Sequence, residues 1–455
     1  MSLLIHDVLV GGRRVDVRVV DGHVDEVAFG LRPDARVQQT FDGAGGALLP
    51  GLHDHHIHLL ALAAAGKSVD VGPCAVDGLD ALAEALRAAT PRHGWIRATG
   101  YHESVAGPLD RYVLDRLVPQ VPVRVQHRSG ALWILNSAAL KVVAAVLDAS
   151  ADVERDDDGA PTGRLWRYDS RLRPALPAHP PDLAPVGRRL AAYGITGVTD
   201  ATPALTADSV ALLAAAQATG ALPQRLTVLG APTPVGLPPG IAPGPRKLLL
   251  RDHDLPGYDQ LVAMVASAHD ATQAVAVHCV TRESLVLTLA VLEEVGVRPG
   301  DRIEHASVAP PEVAAWMARL GVRVVTQPDF LRTRGSAYAR DVAADDLPHL
   351  YPYASLLDAG VPTCASSDAP YGEVDPWRVI ASAADRALGP EERVSAHVAL
   401  RGYLSAADDP GGPPRRVRAG VPADLVLLGS DLVEAMRSPE ACRPVATWIR
   451  GIHIT

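Results

Sequence analysis

Four of the six residues in "HDHHIH" (53–58) are histidines: His53, His55, His56 and His58. In an extended strand, residues i and i+2 face the same side. Asp54, His56 and His58 therefore share one face, and His53 and His55 point the other way. Imidazole nitrogens converging from one face are good ligands for Zn²⁺ or a similar divalent metal. A lone HxH is equally a surface histidine patch, so the weight falls on what accompanies it. "VAVHC" ends in His278, "DRIEHAS" carries His305 and "PTCASSDAP" carries Asp368, each at or just past the end of an apolar run. Gln327 closes the run "VRVVTQ" and Tyr371 follows the Asp368 loop, so both are expected to line a pocket with substrate.

The elements that must position these groups are short apolar runs separated by helical stretches, the pattern of a parallel α/β fold. Eight runs are countable: "GALLPGLHDHH", "GITGVTDA", "QRLTVLG", "RKLLL", "AVAVHC", "DRIEHAS", "VRVVTQP" and "VPTCASSD". They predict a (β/α)8 TIM barrel over 48–411. In such barrels catalytic groups lie at the C-terminal strand ends, which is where the first, fifth, sixth and eighth runs put the histidines and Asp368. About 70–190 is too long for a loop and has its own helical stretches, so an inserted α+β subdomain is expected there. Residues 1–47 and 412–455 read as short alternating strands and predict one small composite β-sandwich domain built from both termini.

Composition narrows the function classes. The 455 residues are 48% hydrophobic and 21% charged, with a formal net charge of −9. That balance, without a basic run, excludes a nucleic-acid footprint. No apolar run reaches the roughly 18 residues of a spanning helix, and the N-terminus reads as a β-hairpin rather than a signal peptide. Cys74, Cys279, Cys364 and Cys442 are far apart with no CxxC pair, so a cytoplasmic setting is expected.

"LLPGLHDHHIHL", "AVHC", "RIEHAS", "SSDAPYGEVDPW" and "AGVPADLVLL" together resemble the amidohydrolase superfamily. With "LNSAAL" (135–140), "DGAPTGRL" (158–165) and "YPYASLLDAGV" (351–361), the sequence is most similar to the branch that includes N-substituted formamide deformylase. The resemblance implies that His56 and His58 hold one metal with Asp368, and that His278 and His305 hold a second or complete the first. It implies Zn²⁺, one or two per chain, or another divalent metal. Many relatives bridge two metals with a carboxylated lysine, and Lys247 in "GPRKLLL" is the candidate. The implied reaction is hydrolysis of a non-peptide C–N bond in a small molecule by metal-bound hydroxide, with Asp368 as general acid/base. Relatives cover the site with the region of "GALWILNSAAL", so Trp133 and Asn136 are candidate substrate contacts, although Asn136 is also suited to cap a helix. Relatives often form dimers or larger oligomers, which makes a homo-oligomer an expectation.

Departures from the branch argue for a different substrate. "PTGRLWRYD" has Arg167 where relatives carry an acid, and "HRSG" (127–130) replaces the usual "DGH", with His127 and Arg128 pointing to an anionic group. Two other readings compete. A mononuclear zinc deaminase of a heterocyclic amine would carry a glutamate three residues after His278, where Thr281 stands. A non-catalytic scaffold would have lost metal ligands that this chain retains.

Overall fold

The computed structural model describes residues 2–33, 37–177, 179–231 and 236–455. Two compact units are present: Met1–Leu59 together with Leu183–Thr455, and Leu60–Asp182.

The first unit contains eight short parallel strands: β1 (Leu52–Ile57), β2 (Ile195–Asp200), β3 (Arg225–Val228), β4 (Arg246–Leu249), β5 (Val275–Cys279), β6 (Arg302–His305), β7 (Arg323–Thr326) and β8 (Thr363–Ala365). They fall in two sheets. One runs β1–β2–β3 and ends on the short strand Ile241–Pro243, and the other runs β4–β5–β6–β7–β8. Helices separate them, among them α1 (Ala207–Ala218) after β2, α2 (Tyr258–Asp270) before β5, α3 (Arg282–Val295) before β6, and α4 (Pro311–Leu320) before β7. Strands covered on both faces are near-continuously buried, and every residue of β1, β2, β6 and β8 is buried. Backbone hydrogen bonds reach across both sheet ends. Lys247 N–H donates to Leu229 O at 2.9 Å, Asp368 N–H to His56 O at 2.8 Å, and His58 N–H to Ala369 O at 2.9 Å.

The two termini meet in this unit. Strands Ser2–Val10, Arg13–Val20, His23–Ala28 and Gln39–Asp42 make one sheet. Leu48–Pro50 makes another with the C-terminal strands, Leu425 pairing with Pro50 and Leu427 with Leu48. Ile5, Val17, Leu48, Leu425 and Trp448 share one core between the two sheets.

The second unit has a six-stranded sheet. Its order is Val69–Asp70, Ile96–Tyr101, Val123–His127, Leu132–Leu135, Pro161–Trp166, Val153–Arg155. Val71, Ala98, Val125 and Ile134 belong to one core of this unit, and Trp95, Trp133, Leu135 and Leu165 to another. No helix among the described residues is long and apolar enough to cross a membrane.

Candidate metal centre

His56 near the end of β1 and His58 just past it follow an irregularity in the pairing of β1 with β2 between Asp54 and Ile57. One ligand atom each from His56, His58 and Asp368 lie within 4.8 Å of one another. Asp368 Oδ1 is 3.1 Å from His58 Nε2 and 3.5 Å from His56 Nε2. The His305 ring centroid lies 5.0 Å from that of His56 and 4.5 Å from that of His278. His278 stands in register with Glu304, and Cys279 with His305, on neighbouring strands. Two of these groups sit where the chain breaks from extended geometry: His305 has φ 74° and Asp368 φ 50°. Left-handed backbone at a non-glycine residue is strained, and such strain concentrates at functional sites.

His56, His305 and His58 are each oriented through a second ring nitrogen. His56 Nδ1 meets Glu304 Oε2 in a short contact, leaving Nε2 toward Asp368. His305 Nδ1 donates to Gln327 Oε1 at 2.6 Å. His58 Nδ1 is 3.3 Å from Thr202 Oγ1. Fixing one ring nitrogen leaves the other for a metal, as in most protein metal sites. Glu304 in turn accepts from Arg302 Nε at 2.6 Å, and Arg302 donates to His55 O at 3.0 Å.

Burial governs the electrostatics. It holds His278 well below the usual imidazole range and pushes His305 down to about 3, against the pull of Asp368. These histidines are therefore neutral, the form that binds metal. Burial works to raise Asp368, but His56, His58 and His305 outweigh it and hold the carboxylate below its ordinary range. Glu304 is likewise raised by burial and held well below the ordinary range by Arg302, Lys247 and His56. Lys247 is buried, and its Nζ has no hydrogen-bond partner. Its burial lowers the ammonium pKa, Glu304 pulls it back up, and its charge is felt at His56, His278 and His305. Imidazoles, a carboxylate and an orphaned amine are a donor set that fits one or two divalent ions.

The other expected site residues divide. Tyr371 stands beside His58, ring centroids 5.4 Å apart. Gln327 does not offer its amide to a substrate, because Oε1 serves His305 and Nε2 donates to Ser366 Oγ at 2.9 Å. Asn136 is also corrected. Its Oδ1 accepts from Ala139 N–H and Val123 N–H, and its Nδ2 donates to Val118 O and Val121 O, so the amide is consumed inside the insertion. Trp133 is core: it is buried, and its indole N–H donates to Asp169 Oδ1 at 2.8 Å. His127 is likewise committed, with Nε2 3.1 Å from Glu103 and Nδ1 accepting from Ser129 N–H. Asp54 does not touch the His56 ring; its Oδ1 accepts from the backbone N–H groups of His56 and Ser367, both at 3.2 Å. The acid that reaches the ring is Glu304, which sequence reasoning passed over. The available signal was a pair of charges, Arg302 and Glu304, alternating around Ile303 in a buried strand.

Residues 39–452 match the family described as Amidohydrolase family. The N-substituted formamide deformylase of Arthrobacter pascens is 28% identical, the alignment covering 98% of this chain and 94% of that one. Among solved structures, an uncharacterized metal-dependent hydrolase from Pyrococcus furiosus superposes with TM-score 0.72 at 19% identity, over 95% of this chain and 99% of that one. A triazine hydrolase variant does so with TM-score 0.60 at 16% identity, over 99% and 94%. At those identities the structures speak to the fold alone. The chain belongs to the amidohydrolase family, and it is a metal-dependent hydrolase acting on carbon–nitrogen bonds other than peptide bonds.

Proposed function

We propose that this protein hydrolyses an amide or formamide bond of a small molecule, at the C-terminal strand ends of a closed (β/α)8 barrel carrying one or two zinc ions. The observation that carries this reading is the convergence of His56, His58 and Asp368 on one point, with His305 tilted beside His56 and His278 edge-on to His305. Closure of the barrel is supported by the hydrogen bonds from Asp368 and His58 that tie the chain after β8 to β1. His56, His58 and Asp368 would hold one ion, and His278 and His305 a second, with Lys247 as the bridge after carboxylation. Only a neutral amine takes up CO₂, and burial moves Lys247 in that direction. A divalent ion held there supplies an acidified water and a Lewis acid for the carbonyl.

The chain's own groups do the rest. Asp368, ionised by its imidazole neighbours, accepts the proton of the attacking water and returns it to the leaving nitrogen. Glu304 and Gln327 keep His56 and His305 pointed inward. Tyr371 forms a wall beside His58 against which a substrate packs. A deaminase is disfavoured by a specific observation. Thr281 is the N-cap of α3, accepting from Ser284 N–H, and Glu283 is exposed on that helix.

The test is Asp368→Asn on a panel of N-substituted formamides and amides, with metal content measured in parallel. Turnover should fall by about 10²–10⁴-fold with metal retained. A variant turning over at the parental rate would remove Asp368 from the chemistry.

A further inference from the structure

The unit Leu60–Asp182 contains a cavity of about 330 Å³ whose lining includes Lys67, Arg92, His93, Trp95, Arg97 and Arg124. Among the described residues that line it there is no aspartate or glutamate. Arg97 and Arg124 are direct partners on adjacent parallel strands, so both side chains leave the same face of the sheet. Like charges placed directly opposite destabilise a sheet. Arg124 has the charge of Asp169 nearby but no hydrogen-bonded acceptor among the described residues, and its Nε is buried. It lies instead over the rings of Trp133 at 5.1 Å and Trp95 at 6.0 Å, while Arg97 lies over Trp133 at 5.3 Å. The Trp133 indole occupies Asp169 Oδ1, an oxygen of the acid whose charge reaches both arginines. Arg97 is held in place by Ser68 Oγ and Gln126 Oε1. Lys67 and Arg92 are exposed and add two more cations to the lining.

Guanidinium forks match oxyanions, and a fork pressed on an aromatic face keeps its edge donors for one. We propose that this cavity binds the oxyanion group of a small molecule, a phosphate or a carboxylate, received by Arg97 and Arg124 over tryptophan with Lys67 and Arg92 at the rim. An anion seated there offsets the repulsion between the paired arginines and supplies the acceptors Arg124 lacks. The site lies wholly within the insertion, and its occupancy does not depend on the reaction proposed above.

Calorimetric titration of the full-length, metal-loaded protein with inorganic phosphate, and separately with succinate, tests this at low ionic strength. Saturable binding of about one anion per chain is expected for at least one of them, and which one binds tells the phosphate from the carboxylate source. In Arg124→Gln that affinity should drop at least ~10-fold, with metal content and hydrolysis unchanged. Absence of binding by both anions overturns the proposal. So does binding equally tight in Arg124→Gln, since the anion then sits elsewhere, at the metal centre included. Should Arg124→Gln not fold, Arg92→Gln at the exposed rim replaces it: a loss of about threefold or more in affinity supports the site, and an unchanged affinity overturns it.

Discussion

Glu304 is a buried charge answered by Arg302, His56 and Lys247. Removing one partner of a buried pair costs about 3–5 kcal/mol, because the other charge is left uncompensated. Loss of a group that orients a metal-binding histidine weakens metal affinity about 10–100-fold. Glu304→Gln should show both effects, read as a lower denaturant midpoint and a weaker zinc titration. An unchanged midpoint would mean that Arg302 has another counter-charge. Lys247→Met separates bridging from packing at the same scale. If the amine bridges two ions, zinc per chain falls from about two to about one; if it only fills space, the count stays.

At the scale of the element, β1 uses both faces. His56 and, just past the strand, His58 approach Asp368, while His53 Nε2 meets Thr199 Oγ1 at 2.9 Å and His55 Nε2 meets Ser405 Oγ at 3.0 Å. Burial lowers His53 well below the usual imidazole range and His55 to about 3. A depressed folded-state value means that the unfolded chain takes up protons first. The stabilisation is therefore whole above pH ~6.5 and is lost as pH falls from there toward about 3. For His55 alone the loss at pH 5 relative to pH 7.5 is about 2 kcal/mol. His55→Gln, which retains a polar partner for Ser405, should flatten that part of the acid limb in denaturation series at the two pH values. A slope identical to the parent's would show that His55 does not carry it.

For the whole molecule, the strand Leu48–Pro50 matters because it runs through Gly51 directly into β1 and is paired to the far end of the chain. Trp448 anchors that sheet: it is 1% exposed and packs edge-on against Phe41 at 5.1 Å. Trp448→Ala should cost about 3–5 kcal/mol, measured by chemical denaturation, with metal content per folded chain unaltered. A loss below about 1 kcal/mol would show that the terminal sheets stand apart from the parallel strands energetically.

Local chemistry was legible in the sequence because it follows from spacing. Alternation marked His56 and His58 as a pair, and apolar runs ending in His278, His305 and Asp368 located the ends of the strands. Asn136 as a helix cap was equally visible, since a cap's partner is three residues away. Contacts across long separations were not. That Glu304 rather than Asp54 holds the His56 ring joins positions 248 residues apart. That Gln327 serves His305, and that Arg97 and Arg124 face one another over tryptophan, depends on which strands pair and in what register. Periodicity states which face a side chain leaves but not what stands opposite, and that is decided only when the strands assemble and burial leaves each polar group to find a partner.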